Sequence, residues 1–430
     1  MHEIKLANPA AAARAISELH RMATPKEDGT WQVTASPYQK MAFELLMNIV
    51  SITPPIPDRT LRALAYRSIF KWLRFKKYRE DPNHARGYLG AVQREFRILE
   101  RKRARFNVLM LMTCDIADLA PFGAPSVLGT DVSIQPWTDL RELDMAALWQ
   151  NIRAHRLVPF LFHDFDLPEP PVRTRDFTPL LVKSYTFGPE AAVEVAQEAF
   201  DLFRACLNLP VIAGHFSYFR SAPKALSPIP PTPVYAVFSD AGEFITIYIT
   251  NEQYEYKSVK IPARHAQAAQ AYLTNLNSVA SKQVAEVYKR CLRLYQEAID
   301  IESPQQSFLA LWHVLEAIAD VNGKGVSQRG IESRIATLIQ PDPMIRDLIH
   351  VMVDRRNSLV HAGQFPQDPD PIYFSLKLIT DIALSRLLRL AQEFDTSHHI
   401  EEYLSLASVD NTGLERKRAV IDFVVNSRSK

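Results

Sequence analysis

Cysteine is scarce in this chain. Cys114, Cys206 and Cys291 are the only three in 430 residues, and none has the short paired spacing of a zinc or iron–sulfur ligand set, so no structural metal is expected. Long apolar runs are missing too. None approaches the roughly eighteen uncharged residues that a bilayer-crossing helix needs, so no membrane partner is expected. The start, Met1 to Ala13, lacks the basic-then-apolar plan of a signal peptide, which points to a cytoplasmic protein. No Gly-x4-Gly-Lys-Ser/Thr cradle for a nucleotide phosphate occurs, and no internal repeat or low-complexity tract argues for a solenoid or a disordered chain. Nothing calls for a cofactor.

What remains is an ordinary globular composition, 47% hydrophobic and 23% charged, on a chain long enough for two or three domains. The net charge of +2 hides an uneven distribution. Arg62 to Arg105 holds fourteen Lys or Arg against Glu80, Asp81, Glu95 and Glu100, or 14 − 4 = +10, a segment able to attract a polyanion. Within it Tyr66, Phe70, Trp72, Phe75 and Tyr78 interleave with Arg67, Lys71, Arg74, Lys76, Lys77 and Arg79, a mixture suited to phosphate contact and base stacking. Arg67, Lys71, Arg74 and Lys77 are therefore candidate RNA contacts. The other reading is a packed helix with a charged outer face, since Leu64, Ile69, Phe70 and Leu73 must bury somewhere.

The pattern along the chain predicts an α+β multidomain protein. Residues 1–105 form a helical, strongly basic region: Pro9 to Met22, then Tyr38 to Ile52 ended by Pro54, Pro55 and Pro57, then a basic stretch from Arg59. Residues 106–262 read as an α+β domain with proline-rich connections. Its strand candidates are the apolar runs Val108 to Ile116, Leu157 to Phe162, Leu180 to Phe187 and Val234 to Phe238. Val234 to Phe238 and Phe244 to Ile249 flank Ser239-Asp240-Ala241-Gly242 as a hairpin, to which Tyr254 to Ile261 adds a third strand; Pro189 to Leu207 reads as a helix. Residues 263–395 carry amphipathic helices: one through Val284, Tyr288, Cys291 and Tyr295; one through Phe308, Leu311, Trp312 and Leu315, capped by Ser303, Pro304 and Gln306; and one opened by Asp370 and Pro371. With the helix described next they make four, which bury one another as a bundle. Residues 396–430 read as a polar C-terminal tail.

The remaining helix carries the chemistry. Ile345, Leu348, Ile349, Met352 and Leu359 trace one face, and Arg356 takes a place in that stripe. A guanidinium there needs a partner with several acceptors, and a phosphate supplies them. Gly363 suits the left-handed position beyond the helix, so His361 falls in the last turn, where the dipole favours a cation.

Arg356, Asn357 and His361, with Leu311-Trp312 and Leu315-Glu316 one helix earlier and Glu332-Ser333-Arg334-Ile335-Ala336 before the motif helix, resemble the HEPN superfamily, in particular its ApeA-like abortive-infection branch. The resemblance covers roughly Ala280 to Phe394. It implies a four-helix-bundle endoribonuclease, a toxin or antiphage effector, that cleaves RNA by 2′-hydroxyl attack without a metal or cofactor. The residues present agree: an imidazole moves protons near neutral pH, a fixed arginine meets charge developing on phosphoryl oxygens, and DNA lacks the attacking hydroxyl. Five residues at 100° each put Arg356 and His361 roughly 140° apart on one helix. A composite site from two copies, the arrangement usual in the family, brings them together and implies a homodimer. The alternative is a catalytically silent bundle that dimerises and holds nucleic acid or a protein partner.

Around the motif, Asn357 is a candidate to orient His361 or a phosphate, and Glu316 to pair with Arg356. Arg355, beside Asp354 and off the stripe, suits a solvent ion pair. Gly323, Lys324 and Gly325, with Arg329, form a flexible basic loop able to touch RNA backbone. His163, Asp164 and Asp166 resemble metal ligands but lie among prolines; His398 and His399 read as solvated, and Cys206 and Cys291 as inert core cysteines. A phage or cellular trigger bound by the N-terminal region completes the expected set of partners.

Overall fold

The computed structural model describes residues 2–25, 31–33, 37–53, 55–74, 83–112, 114–116, 122–127, 130–136, 147, 150, 178–212, 226–227, 229, 234–249, 259–339, 343–363, 370–406, 409 and 411–428. The fold is mixed α+β and mostly helical. At the N-terminus α1 (Pro9–Met22) begins with Pro9 in its first turn, and the Asn8 side chain accepts the Ala11 N–H at 2.9 Å. With α2 (Pro37–Asn48), α3 (Asp58–Arg74) and α4 (His84–Glu100) it encloses a core around Ile16, Leu46, Ile69, Trp72, Tyr88 and Val92. The helix expected over Tyr38 to Ile52 stops at Asn48. Val50 to Thr53 is instead a strand, β4, antiparallel to β1 (Glu3–Leu6), because β-branched Val50 and Ile52 bury alternately with exposed Ser51 and Thr53. β2 (Ala23–Pro25) and β3 (Trp31–Val33) form a second small pair.

The main sheet has six strands, all antiparallel, in the order β11-β10-β5-β9-β8-β7. These are β5 (Ala104–Met112), β7 (Phe122–Val127), β8 (Thr130–Pro136), β9 (Thr178–Thr186), β10 (Val234–Ser239) and β11 (Phe244–Ile249). β10 and β11 make the expected hairpin, with Gly242 at φ +84° where a side chain would be strained. The run Val108 to Ile116 divides into β5 and β6 (Cys114–Ile116). The expected third hairpin strand, where described, is β12 (Val259–Ile261), and it pairs in parallel with β6, not with the hairpin. Leu157 to Phe162 lies outside the described residues. β7 and β8 were not expected; in β8 Val132 and Ile134 turn inward while Asp131 and Ser133 face out.

α5 (Pro189–Ile212) is apolar over most of its girth, with Ala192, Val195, Ala196, Ala199, Phe200, Phe203, Cys206 and Leu207 all buried, and carries one polar stripe through Glu194, Gln197, Glu198 and Asp201. One side lies across the sheet, and the other meets α6 (Ala263–Asn277) and α7 (Lys282–Asp300). α6 was not foreseen. Behind α7 come α8 (Pro304–Ala319), α9 (Gln328–Ile339), α10 (Pro343–Ala362) and α11 (Asp370–Glu393), and the same core continues through them. The segment expected as a polar tail is helical. α12 (Ser397–Leu406) buries Ile400 and Leu404, whereas α13 (Asn411–Arg428) leaves Leu414, Val420, Ile421 and Val424 exposed. No described helix is long and apolar enough to cross a membrane.

Two buried ionic groups tie α5 to its neighbours. The Arg204 guanidinium donates to the Ile229 carbonyl at 2.7 and 2.9 Å, to Asp201 at 2.7 Å and to Asp300 of α7 at 2.5 Å. Lys377 of α11 donates to Asp381 at 2.6 Å and to the Asn208 carbonyl of α5 at 3.4 Å, and the Tyr295 hydroxyl of α7 donates to Asp381 at 2.6 Å. Beside the first group a cavity of about 280 Å³ is lined by Asp58, Glu194, Glu198, Asp201, Glu297 and Asp300, with Arg293 among them.

Two predictions follow from this crowding. Arg204→Ala leaves two carboxylates without their cation and is expected to cost about 3–5 kcal/mol in a denaturation experiment. Burial pushes Glu194 and Asp201 up to about 6 and also raises Glu198, Glu297 and Asp300. Unfolded carboxyls titrate near 4, so as pH falls from about 7 the folded chain takes up protons before the unfolded one does and gains stability. The melting temperature is expected to be higher at pH 5.5 than at pH 7.5.

Candidate functional site

α10 packs through Ile349, Met352 and Val353, with Ile345, Leu348 and Leu359 half-buried beside them. Arg356 stands at the rim of this stripe, its side chain 28% exposed, so the guanidinium can face both the protein and solvent. The helix ends as its sequence dictates: Gly363 adopts φ +62°, and its N–H reaches the Leu359 carbonyl at 3.1 Å. His361 is exposed in the last turn, and its side chain forms no hydrogen bond or ion pair with another described residue. Arg355 and Asp354 are both exposed.

The organising group is Glu316 on α8. Its Oε1 accepts the indole N–H of buried Trp312 at 2.9 Å and lies 3.8 Å from the Arg356 guanidinium; its Oε2 lies 3.3 Å from His313 Nδ1. Trp312, His313 and Glu316 meet because residues three and four apart share a helix face. Asn357 takes partners other than His361. Its Oδ1 accepts the Gln328 side-chain N–H at 2.8 Å and, more weakly, an Arg356 N–H at 3.4 Å. One end of Arg356 is thus held by a carboxylate and the other by an amide, which fixes a charged fork at the surface of the helix group. Nothing in the sequence singled out His313 or Gln328. For His313 the usable signal was its place three residues before Glu316.

The loop between α8 and α9 is tied down, not free as expected. The Asp320 carboxylate accepts the N–H groups of Lys324 at 3.0 Å and Gly325 at 2.8 Å, and Gly323 and Gly325 take positive φ of +65° and +84°. The turn presents Lys324 and, just after it, Arg329 to solvent and sets Gln328 against Asn357. Arg334 of α9 donates to the Ala319 carbonyl at the end of α8 and pairs with Glu401 of α12 at 2.8 Å.

In the basic region Arg67 and Arg74 are exposed, while Lys71 lies 3.8 Å from Glu95. Trp72 is fully buried and cannot stack on a base, which corrects the reading of the aromatic set. Tyr66 and Phe70 are exposed, so Phe70 does not bury as the packed-helix reading required, and they cluster with Phe43 at ring distances of 4.9–5.9 Å. Phe75, Lys76, Lys77, Tyr78 and Arg79 lie outside the described residues, as do His163, Asp164 and Asp166. His398 pairs with Glu402 at 3.3 Å on an exposed face, and His399 is exposed. Cys206 and Cys291 are buried, and burial pushes both thiols up to about 12, which leaves them unreactive near neutral pH.

Comparison with known proteins adds no relative: no protein-family model, curated protein or solved structure matches this chain.

Asp320→Ala removes the acceptor that holds the loop. Faster amide hydrogen exchange at Lys324 and Gly325 is expected, with about 1–2 kcal/mol lost in a denaturation experiment; unchanged exchange would show that the turn holds without the carboxylate.

Proposed function

We propose that this protein is an endoribonuclease of the HEPN type that cleaves RNA by 2′-hydroxyl attack. In this reading α7, α8, α10 and α11 form the four-helix bundle, with the N-terminal helices and the six-stranded sheet as its sensing or restraining parts. The observation that carries it is the half-buried Arg356 fork, held 3.8 Å from Glu316 and within reach of Asn357, on the helix that ends at His361. A cation presented on a rigid helix suits a phosphodiester, whose charge grows on its non-bridging oxygens during attack. The imidazole supplies proton transfer. The pinned loop with Lys324 and Arg329, and the exposed Arg67 and Arg74, would follow the backbone of the same strand.

Arg356 and His361 lie five residues apart on one helix, so they diverge by roughly 140°. We therefore propose that the working unit is a homodimer in which the α10 helices of two copies meet and each supplies what the other lacks. The trigger, a phage or cellular component, would bind the N-terminal region, and the activity would serve antiphage abortive infection.

The purified chain, incubated with total RNA and with DNA of matched sequence in EDTA, is expected to cut the RNA and spare the DNA. Arg356→Ala and His361→Ala are each expected to lower the rate by about 10²–10⁴-fold while the dimer persists by light scattering. Parental toxicity in cells that survives in both variants would instead favour a silent dimerisation scaffold.

A further inference from the structure

We propose that His313 is the general base of this site, the group that takes the 2′-hydroxyl proton, and that His361 is the acid; the inference rests on the ribonuclease reading above. Phosphodiester cleavage by an internal hydroxyl needs two proton transfers, one from the attacking oxygen and one to the leaving oxygen. The imidazole that neighbours the Arg356 cluster is not the motif histidine. It is His313, 63% exposed at its side chain and joined to Arg356 through one carboxylate: Nδ1 lies 3.3 Å from Glu316 Oε2, and Glu316 Oε1 lies 3.8 Å from the guanidinium.

The contact also sets the tautomer. A carboxylate only accepts, so its hydrogen bond to neutral His313 requires the proton on Nδ1 and leaves the Nε2 lone pair free to accept. Glu316 is itself fixed, because its Oε1 takes the N–H of Trp312, a ring that is 2% exposed in the core. The result is a chain from core indole to carboxylate to a largely exposed imidazole. The orienting carboxylate plays the part that such a group plays beside a catalytic histidine in hydrolases. His361, the histidine of the motif helix, has no such partner among the described residues, and the second proton transfer falls to it.

The step balances as follows. As the O2′–P bond forms, His313 Nε2 takes the hydroxyl proton; the P–O5′ bond breaks, its electron pair passes to O5′, and O5′ takes a proton from His361. Arg356 lies against the non-bridging oxygens. The products are a 2′,3′-cyclic phosphate and a 5′-hydroxyl, and the two histidines exchange charge states.

The test uses the full chain and two synthetic RNAs of a sequence the parent cuts, one with an ordinary 5′-oxygen and one with sulfur at that bridging position, a leaving group that needs no acid. His313→Ala and His313→Asn are expected to lose about 10²–10⁴-fold on both RNAs, with melting temperatures equal to the parent's. His361→Ala is expected to lose as much on the oxygen RNA and to recover on the sulfur RNA. His313→Asn keeps a donor near Glu316 but cannot take a proton, so parental rates in that variant would reduce His313 to a spacer and overturn the proposal. Recovery of His313→Ala on the sulfur RNA would overturn it as well, making His313 the acid. Parental rates for His313→Ala, alongside an inactive Arg356→Ala, would remove His313 from the mechanism and leave the ribonuclease reading intact. RNA left whole by the parent, or cut equally by Arg356→Ala, would overturn both.

Discussion

A guanidinium with no access to water has to find every acceptor inside the protein, and Arg204 sets that demand in the middle of α5. Its answer comes from Asp201 on the same helix, Asp300 on α7 and the backbone at Ile229. Taking a cation out of water costs several kcal/mol, so α5 has one rotation and one depth at which the chain is tolerable. The sheet on one side and α6 and α7 on the other are placed by that choice. Lys377 and Tyr295 repeat the device one layer further out, where Asp381 links α11 to α7 and the Asn208 carbonyl links α11 to α5. Apolar burial supplies the driving force across these layers, but it is non-directional; the ions specify which faces meet.

The candidate site sits at the far end of this chain of constraints and uses the same chemistry at the surface. Glu316 accepts the Trp312 N–H and stands beside His313 and Arg356, and of these three only Trp312 is in the core. Partial exposure is what separates it from the Arg204 group: there every acceptor is committed to structure, whereas the outward faces of Arg356 and His313 remain available to a ligand. Water contact keeps the carboxylate and the arginine affordable without full pairing.

Much of the fold was legible from periodicity. α1 was foreseen from Pro9 to Met22, and the β10–β11 hairpin from two apolar runs about a glycine. What escaped has physical reasons. α6, rich in Ala and Gln, buries only Leu273 and Leu276 as large apolar side chains, both in its second half, so the sequence shows a short stripe. α12 joins the core through Ile400 and Leu404, too few to outweigh its polar neighbours in the sequence. β4 lies just past α2, and its Val and Ile extend the helical stripe until Ala7 and β1 take up its backbone bonds. At the site, Arg356 could be named from a charge inside an apolar stripe and His361 from the helix end, whereas Asn357 and Glu316 were expected from the family resemblance alone. Gln328 could not be named, because its contact with Asn357 depends on how two helices are rotated about their axes, a property of tertiary packing that no single helix declares; the His313 contact is local to α8 and was readable from its spacing to Glu316.

α5 emerges during synthesis before the helices that cover it. The end of α7, at Asp300, follows the end of α5, at Ile212, by nearly ninety residues. At translation speeds of about 5–20 residues per second, that interval is roughly 4–18 s. Until then the flank of α5 that α6 and α7 cover is open, while the earlier strands and α3 shelter the rest. The nascent chain therefore carries a sticky, half-covered surface for several seconds, and its yield in the cell is tied to chaperone supply as much as to final stability.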